Sequence, residues 1–247
     1  MEGYDESTYG DSIAEIYDEL YADYDPSAVD LLQELAGQGR ILELGIGTGR
    51  IAIPLHRRGL RVAGLYASKP MLDTLQAKSE SAGLETRLGN VLDFEWGGRF
   101  DLIYIAFNTF FNLSAQEQQI NCIRNTARHL TSHGLFLVEA FVPDMARFDD
   151  NQTVRLIKLS ADKVQFEVSR HYPVEQQVHS QIVLLSDGGV HMHPIKLRYV
   201  WPSEMDLMAQ LAGLQLKHRW GSWDKSEYNV ESVKHISLYG MDHQVEG

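Results

Sequence analysis

Apolar and polar positions divide this chain into two regimes. From residue 38 to about residue 145, short apolar runs alternate with segments of helical period. Arg40–Leu44 (RILEL) reads as a buried strand, RVAGLYAS as a second and ETRLGNVLDF as a third with its exit loop. FDLIYIAF is a fourth and GLFLVEAFVPD a fifth. Between them RIAIPLHRRG, KPMLDTLQAKSESAG and SAQEQQINCIRNTARHL read as helices, with Pro70 where a first turn tolerates it. This alternation predicts a parallel, doubly wound sheet. The unbroken apolar run of the fourth strand suits a sheet covered on both faces.

The flanks differ. In SIAEIYDELYADY, Ile13, Ile16, Tyr17, Leu20 and Tyr21 fall at helical spacing, and AVDLLQELAG makes a second helix ended by Gly37. DKVQFEVSRHYPV, QQVHSQIVLLSDGG and VHMHPIKLRYVW are three alternating, β-rich runs joined by turn-like segments, which predict an antiparallel insertion. PSEMDLMAQLAG returns to helix, and LQLKHRWGSW with VKHISLYG reads as a closing hairpin. The expected fold is α/β: a doubly wound, mostly parallel seven-stranded sheet with a C-terminal antiparallel hairpin and an inserted small antiparallel sheet. The expected divisions are a helical lid over 1–37, a core over 38–148, the insertion over 149–201 and completion of the core over 202–247.

Composition narrows the partners. The chain has 247 residues, is 44% hydrophobic and carries a formal net charge of −12, enough apolar content for one sizeable core. So acidic a surface repels phosphate backbones, and Arg57, Arg58 and Arg61 are scattered rather than clustered, which argues against a nucleic-acid partner. Cys122 is the single cysteine, so neither an intrachain disulfide nor a cysteine zinc cluster can form, as suits a reducing cytoplasm. The start, MEGYDESTYGD, lacks the apolar centre of a signal peptide, and no apolar run reaches spanning length. A soluble, cytoplasmic protein without a membrane partner is expected.

The chemistry begins in RILELGIGTGRIAIPL. Gly45, Gly47 and Gly49 give G-x-G-x-G at a strand-to-helix turn. A dinucleotide fingerprint needs its last glycine one residue later, where Arg50 stands, and no Gly-Lys-Ser/Thr follows to make a P-loop. The glycines still permit positive φ and close approach of backbone to a ligand. An adenosyl group without phosphates fits better than a dinucleotide.

ILELGIGTGR resembles the first motif of class I S-adenosylmethionine (SAM)-dependent methyltransferases, and the resemblance extends over roughly residues 38–145. It implies a Rossmann-like core and SAM as cofactor, with S-adenosylhomocysteine as product. Cofactor contacts would come from Glu43, Gly45, Ile46, Gly47, Thr48 and Gly49 at the first turn, and from Tyr66, Ala67 and Met71 after the second strand. Gly89, Asn90 and Val91 would hold the adenine, and Ala106, Phe107 and Asn108 would face the reacting methyl. Strand two of the family ordinarily ends in an acid that binds the ribose diol; here the aligned residue is Tyr66. Three readings of Tyr66 stand: an introduced replacement in an ordinary site, a natural pocket that admits SAM differently, or a catalytically weakened or silent adenosyl-binding scaffold. The regularity of the other motifs favours the first two.

Similar small-molecule enzymes fold an N-terminal segment over the cofactor, which places Tyr9 near the cofactor and Tyr17 near the chemistry, although Tyr17 also lies on an apolar helical stripe. Asn108 and His171 are candidate catalytic groups, His171 as a base for a hydroxyl acceptor. Phe110, Phe111, Arg198 and Tyr199 are candidate acceptor contacts; the phenylalanines equally suit capping the sheet, and Arg198 an ion pair. His191 and His193 share a strand face, but no third ligand is evident and no metal is expected. AFNTFFN lacks the Pro-Pro loop of nucleic-acid amino methyltransferases, and RYVWPSEMDLMAQLAGLQL resembles bacterial enzymes acting on small metabolites. The expected activity is in-line transfer of methyl to N or O of a small organic acceptor in secondary metabolism. The inserted strands offer an edge for pairing into a homodimer.

Overall fold

A computed structural model describes residue 1, residues 3–21 and residues 23–241. Its larger sheet has seven strands in the order β10-β11-β5-β4-β1-β2-β3. β1 (Arg40–Leu44), β2 (Arg61–Tyr66), β3 (Glu85–Leu88), β4 (Phe100–Ile105) and β5 (Leu130–Phe141) run parallel. β11 (Lys234–Met241) is antiparallel to both β5 and β10 (Leu214–Trp220), so the hairpin closes one edge.

Both faces of this sheet are covered, as the apolar runs require. Ile103 and Ile105 of β4 join one core layer while Leu102 and Tyr104 join the other, following the two-residue period. Helices α6 (Gln116–His129) and α7 (Pro202–Leu211) cover the first face through Cys122, Ile123, Met205 and Met208. Helices α3 (Pro26–Ala36), α4 (Ala52–Arg57) and α5 (Lys69–Gln76) cover the second through Leu32, Leu55, Leu72 and Leu75. Cys122 is enclosed there, and burial pushes its thiol up to about 12, so it is a packing residue. The helix starts are chemical. Asp25 Oδ1 accepts from Ser27 N at 2.9 Å before Pro26–Ala36, and Ser68 Oγ accepts from Met71 N at 3.4 Å before Lys69–Gln76.

Two expectations need correcting. The insertion holds four strands, in the order β6-β7-β8-β9, where the alternating runs account for three. β6 (Gln152–Leu159) carries no strand signal in the sequence because nearly all its residues are exposed, Val154 at 69% and Leu159 at 68%, so its apolar positions follow no inward period. β7 (Lys163–Tyr172), β8 (Gln177–Ser186) and β9 (Gly189–Arg198) pair antiparallel in continuous register. The single helix expected over SIAEIYDELYADY is instead two short ones, α1 (Thr8–Ile13) and α2 (Tyr17–Leu20). The break lets Ser12 offer its carbonyl to His193 Nδ1 at 2.7 Å on one side and Asp18 reach Thr48 on the other. Among the described residues, no helix is long and apolar enough to cross a membrane.

Candidate active site

β1 has β2 on one side and β4 on the other, so the strand order reverses beside the glycine turn, where open α/β sheets place their ligands. A cleft of about 260 Å³ opens there. Its floor is Glu43, Gly45, Ile46, Gly47 and Thr48; Phe107, Asn108, Thr109 and Asn112 form one wall. Tyr9, Tyr17 and Tyr21 of the N-terminal segment and Ile195 and Leu197 of β9 roof it. A second chamber of about 40 Å³ adjoins it across Gly45, Tyr66, Thr109 and Asn112, and reaches Ala67, Asn90 and Val91. A larger cavity of about 650 Å³ opens on the outer face of the insertion, but it holds no part of the glycine turn.

The floor has unusual backbone. Gly45, Gly47 and Gly49 all take positive φ, +92°, +54° and +85°. Both Gly45 N and Ile46 N donate to Leu65 O, at 2.8 and 3.1 Å, which ties the turn to the end of β2. Glu43 beneath it is 3% exposed, and its Oε2 has no hydrogen-bond partner. Burial pushes this carboxyl up to about 8, against the opposing pull of the Tyr104 hydroxyl and the Arg50 guanidinium. An orphaned buried carboxyl, ionised once a cation docks beside it, suits together with open glycine backbone the ammonium end of an amino acid.

The wall after β4 is strained and fastened. Phe107 and Asn108 take left-handed φ, +54° and +62°, which cost non-glycine residues energy. Phe107 N donates to Glu139 Oε2 at 2.9 Å, and Asn108 Oδ1 accepts from Phe141 N at 2.7 Å. Glu139 is anchored in turn by Trp223 Nε1 and Lys234 Nζ, each at 3.1 Å. The Arg50 guanidinium stacks 3.3 Å from the Phe107 ring centroid, and its Nε is buried without a partner.

The roof is latched rather than merely resting. Thr48 Oγ1 donates to Asp18 Oδ1 at 2.6 Å, and Lys78 Nζ pairs with Asp18 Oδ2 at 2.6 Å. Lys163 Nζ meets Glu19 at 2.6 Å from the insertion. Burial pushes the phenols of Tyr9, Tyr17 and Tyr66 above their ordinary value. Asp18→Ala removes one latch of a partly exposed pair worth up to about 1 kcal/mol. Chymotrypsin is then expected to cut after tyrosines 4–24 about fivefold faster, read on a gel time course, with unfolding barely changed. Equal cleavage rates would mean that Asp18 does not hold the segment.

Of the residues singled out in the sequence, Tyr9, Tyr17, Glu43, Gly45, Ile46, Gly47, Thr48, Tyr66, Phe107 and Asn108 meet at the cleft, and Ala67, Asn90 and Val91 at the smaller chamber. Others lie elsewhere. Gly49 and Gly89 face Leu75 and Leu65, Met71 lies behind Gly47, and Ala106 is enclosed. Phe110 and Phe111 are wholly buried and close the sheet core instead of facing an acceptor. His171 stacks on Phe148, and its Nε2 meets Tyr199 Oη at 2.9 Å, away from the cleft. Arg198, 6% exposed, pairs with Glu204 at 2.8 Å and Gln119 at 2.6 Å, joining the insertion to α7 and α6. Arg50, Tyr21, Thr109, Asn112, Ile195 and Leu197 were not singled out. Tyr21 stood one helical turn from Tyr17, and Ile195 and Leu197 share the strand face of His193, so a signal existed for those three.

A methyltransferase-domain family model matches residues 41–134. The solved CcbJ methyltransferase from Streptomyces caelestis is 36% identical, with a TM-score of 0.91 over 96% of this chain and 99% of that one. The chain belongs to the class I SAM-dependent methyltransferases. The cypemycin N-terminal methyltransferase of a Streptomyces species is 28% identical over 236 residues, 92% of this methyltransferase and 95% of the relative. The SAM-bound amino pentose methyltransferase CalS10 of Micromonospora echinaspora, involved in calicheamicin biosynthesis, shares the fold at 18% identity. Its TM-score is 0.67, over 91% of this chain and 96% of that one. SAM is therefore the cofactor, and the glycine turn with the orphaned Glu43 carboxylate fits its methionyl end.

Proposed function

We propose that this methyltransferase acts on the nitrogen of an amine in a small organic acceptor. When bound, SAM supplies a methyl already activated by its sulfonium, so the chain's own residues have to hold, align and keep water out. Glu43 and the glycine turn would hold the methionyl end, and Ala67, Asn90 and Val91 the adenine. Tyr9, Tyr17 and Tyr21 would roof the reacting centre and keep it dry. Phe107 and Asn108, fixed by Glu139 and Phe141, would set the angle of approach. Ile195 and Leu197 would limit the acceptor's apolar side.

One observation carries the choice of nitrogen. Among the described residues lining the cleft there is no histidine, Tyr9, Tyr17 and Tyr66 hold their protons tightly through burial, and the one carboxyl, Glu43, is taken by the methionyl end in this reading. A hydroxyl acceptor needs a base to take its proton; an amine that has shed its proton to water presents its lone pair unaided. The net charge of −12 also draws cationic amines toward the protein. The likeness to a relative named for N-terminal methylation points the same way. With labelled SAM and matched pairs of amines and hydroxyl isosteres, label is expected only in the amines. At subsaturating acceptor, kcat/KM should climb with pH toward each amine's own pKa. Transfer to the hydroxyl partner at a comparable rate would overturn the assignment to nitrogen.

A further inference from the structure

Tyr66 leaves β2 without the acid that the family sets against the ribose diol, yet those hydroxyls still need an acceptor. The smaller chamber, between Gly45, Ala67 and Asn90, is where they would lie. Among the described residues lining it, Glu6 is the only carboxylate. We propose that the ribose-binding acid of this enzyme has moved from β2 to the N-terminal segment and is Glu6. The proposal rests on the assignment of SAM as cofactor.

The turn that carries Glu6 is built to present it. Asp5 Oδ1 accepts from Ser7 N and Thr8 N, both at 3.0 Å, and from the two hydroxyls at 3.0 and 2.8 Å. These bonds all fall on Oδ1 and hold the Asp5 carboxyl below its usual range, and Asp5 does not line the chamber. Asp11, the other nearby acid, accepts from Ser68 Oγ at 2.6 Å and does not line the chamber. Among the described residues, Glu6 accepts only a long contact, 3.5 Å, from Gln118 Nε2, which leaves it able to accept from a ribose.

Tyr66 itself supports the exchange. A Cβ on Gly10 would stand 3.2 Å from Tyr66 Cε1 and 2.5 Å from Ser68 Cβ, so the segment is seated directly on the ring that replaced the acid. At about 40 Å³ the chamber is too tight for a nucleoside; ligand sites ordinarily run to roughly 300–1,000 Å³. The segment must therefore lift to admit the cofactor and return to bring Glu6 onto it. In the adjoining cleft the buried, unpartnered Glu43 Oε2 marks the other end of the same ligand.

Calorimetric titration of S-adenosylhomocysteine and its 2′-deoxyadenosyl counterpart into the wild-type chain and Glu6→Gln tests this. Losing charge-assisted bonds is expected to weaken S-adenosylhomocysteine roughly ten- to hundredfold in Glu6→Gln. The deoxy ligand should lose affinity in the wild type but much less in the variant, and Tyr66→Asp added to Glu6→Gln should restore tight binding. Affinity in Glu6→Gln within twofold of wild type overturns the proposal, as does an equal loss for both ligands. A wild-type chain that fails to bind S-adenosylhomocysteine would sink the cofactor reading itself, which separates the two failures.

Discussion

Gly45→Ala is expected to damage both the fold and cofactor binding, whereas Gly47→Ala is expected to be mild. At Gly45 φ is +92°, and an added Cβ would stand 2.5 Å from Thr109 Cγ2 and 3.1 Å from both Thr109 Cβ and Oγ1. Thr109 cannot simply rotate away, because its own Cβ is among the crowded atoms and its N–H is bonded to Ala106 O at 3.2 Å. Left-handed strain of about 1–2 kcal/mol adds to overpacking of about 1–3 kcal/mol, a cost of roughly 2–5 kcal/mol. For a chain of this size that lowers the melting temperature by roughly 5–15 °C. Thr109 and Gly45 border both chambers, so pushing them apart should also weaken S-adenosylhomocysteine binding. Gly47 has φ +54°, and an added Cβ would meet Met71 Cε at 3.4 Å and Gly45 O at 4.0 Å, both ordinary contacts, so its alanine carries about 1–2 kcal/mol of strain alone. Thermal melts with and without S-adenosylhomocysteine give the ranking. A Gly45→Ala protein that melts and binds like wild type would mean that the turn is not the rigid floor described.

The same contrast explains what could be read in the sequence. Leu102–Ile105 is covered on both sides, so burial left an unbroken apolar run that needs no partner to interpret, and Ile41–Leu44 is interrupted by Glu43 alone. The glycine spacing was legible because backbone conformation is written in one residue type. β6 was not, since Val154, Leu156, Ile157 and Leu159 are exposed and no burial imposed a period. The N-terminal stripe has the period of one helix but forms two, because its anchors lie elsewhere: Asp18 answers to Thr48 and Lys78, and the Ser12 carbonyl to His193. Tertiary partners override local preference in such short segments. His171 and Arg198 were drawn toward the acceptor by their chemistry, but polar side chains also tie sheet to helix, and Tyr199 and Glu204 claim them. Nor does any local pattern announce that Glu139 holds Phe107, because the two stand 32 residues apart in sequence.

Glu43 links cofactor binding to a proton. With its Oε2 unpartnered, its carboxyl is pushed up to about 8 in place of the ordinary 4.5, because burial disfavours the charge more than Tyr104 and Arg50 favour it. At pH 6.5, where an α-ammonium is still charged, the cofactor-free protein therefore keeps this proton, and docking the ammonium beside Oε2 favours the carboxylate. Binding should release close to one proton at that pH and almost none above about pH 9, read by calorimetry in buffers of different ionisation enthalpy. Glu43→Gln should abolish the release and weaken S-adenosylhomocysteine about ten- to two-hundredfold, the loss of a charged hydrogen bond worth roughly 1.5–3 kcal/mol. Stability should move the opposite way. A carboxyl raised from 4.5 to about 8 leaves the folded chain binding more protons than the unfolded one between those values. Its stabilising contribution is complete below pH 4.5 and is lost as pH rises to about 8. Glutamine carries no such penalty, so above pH 7 the cofactor-free variant should melt higher than wild type while binding the cofactor worse. Parallel melting curves for the two proteins from pH 5 to pH 8 would show that Glu43 is already ionised in the empty cleft, and the proton linkage would fall with it.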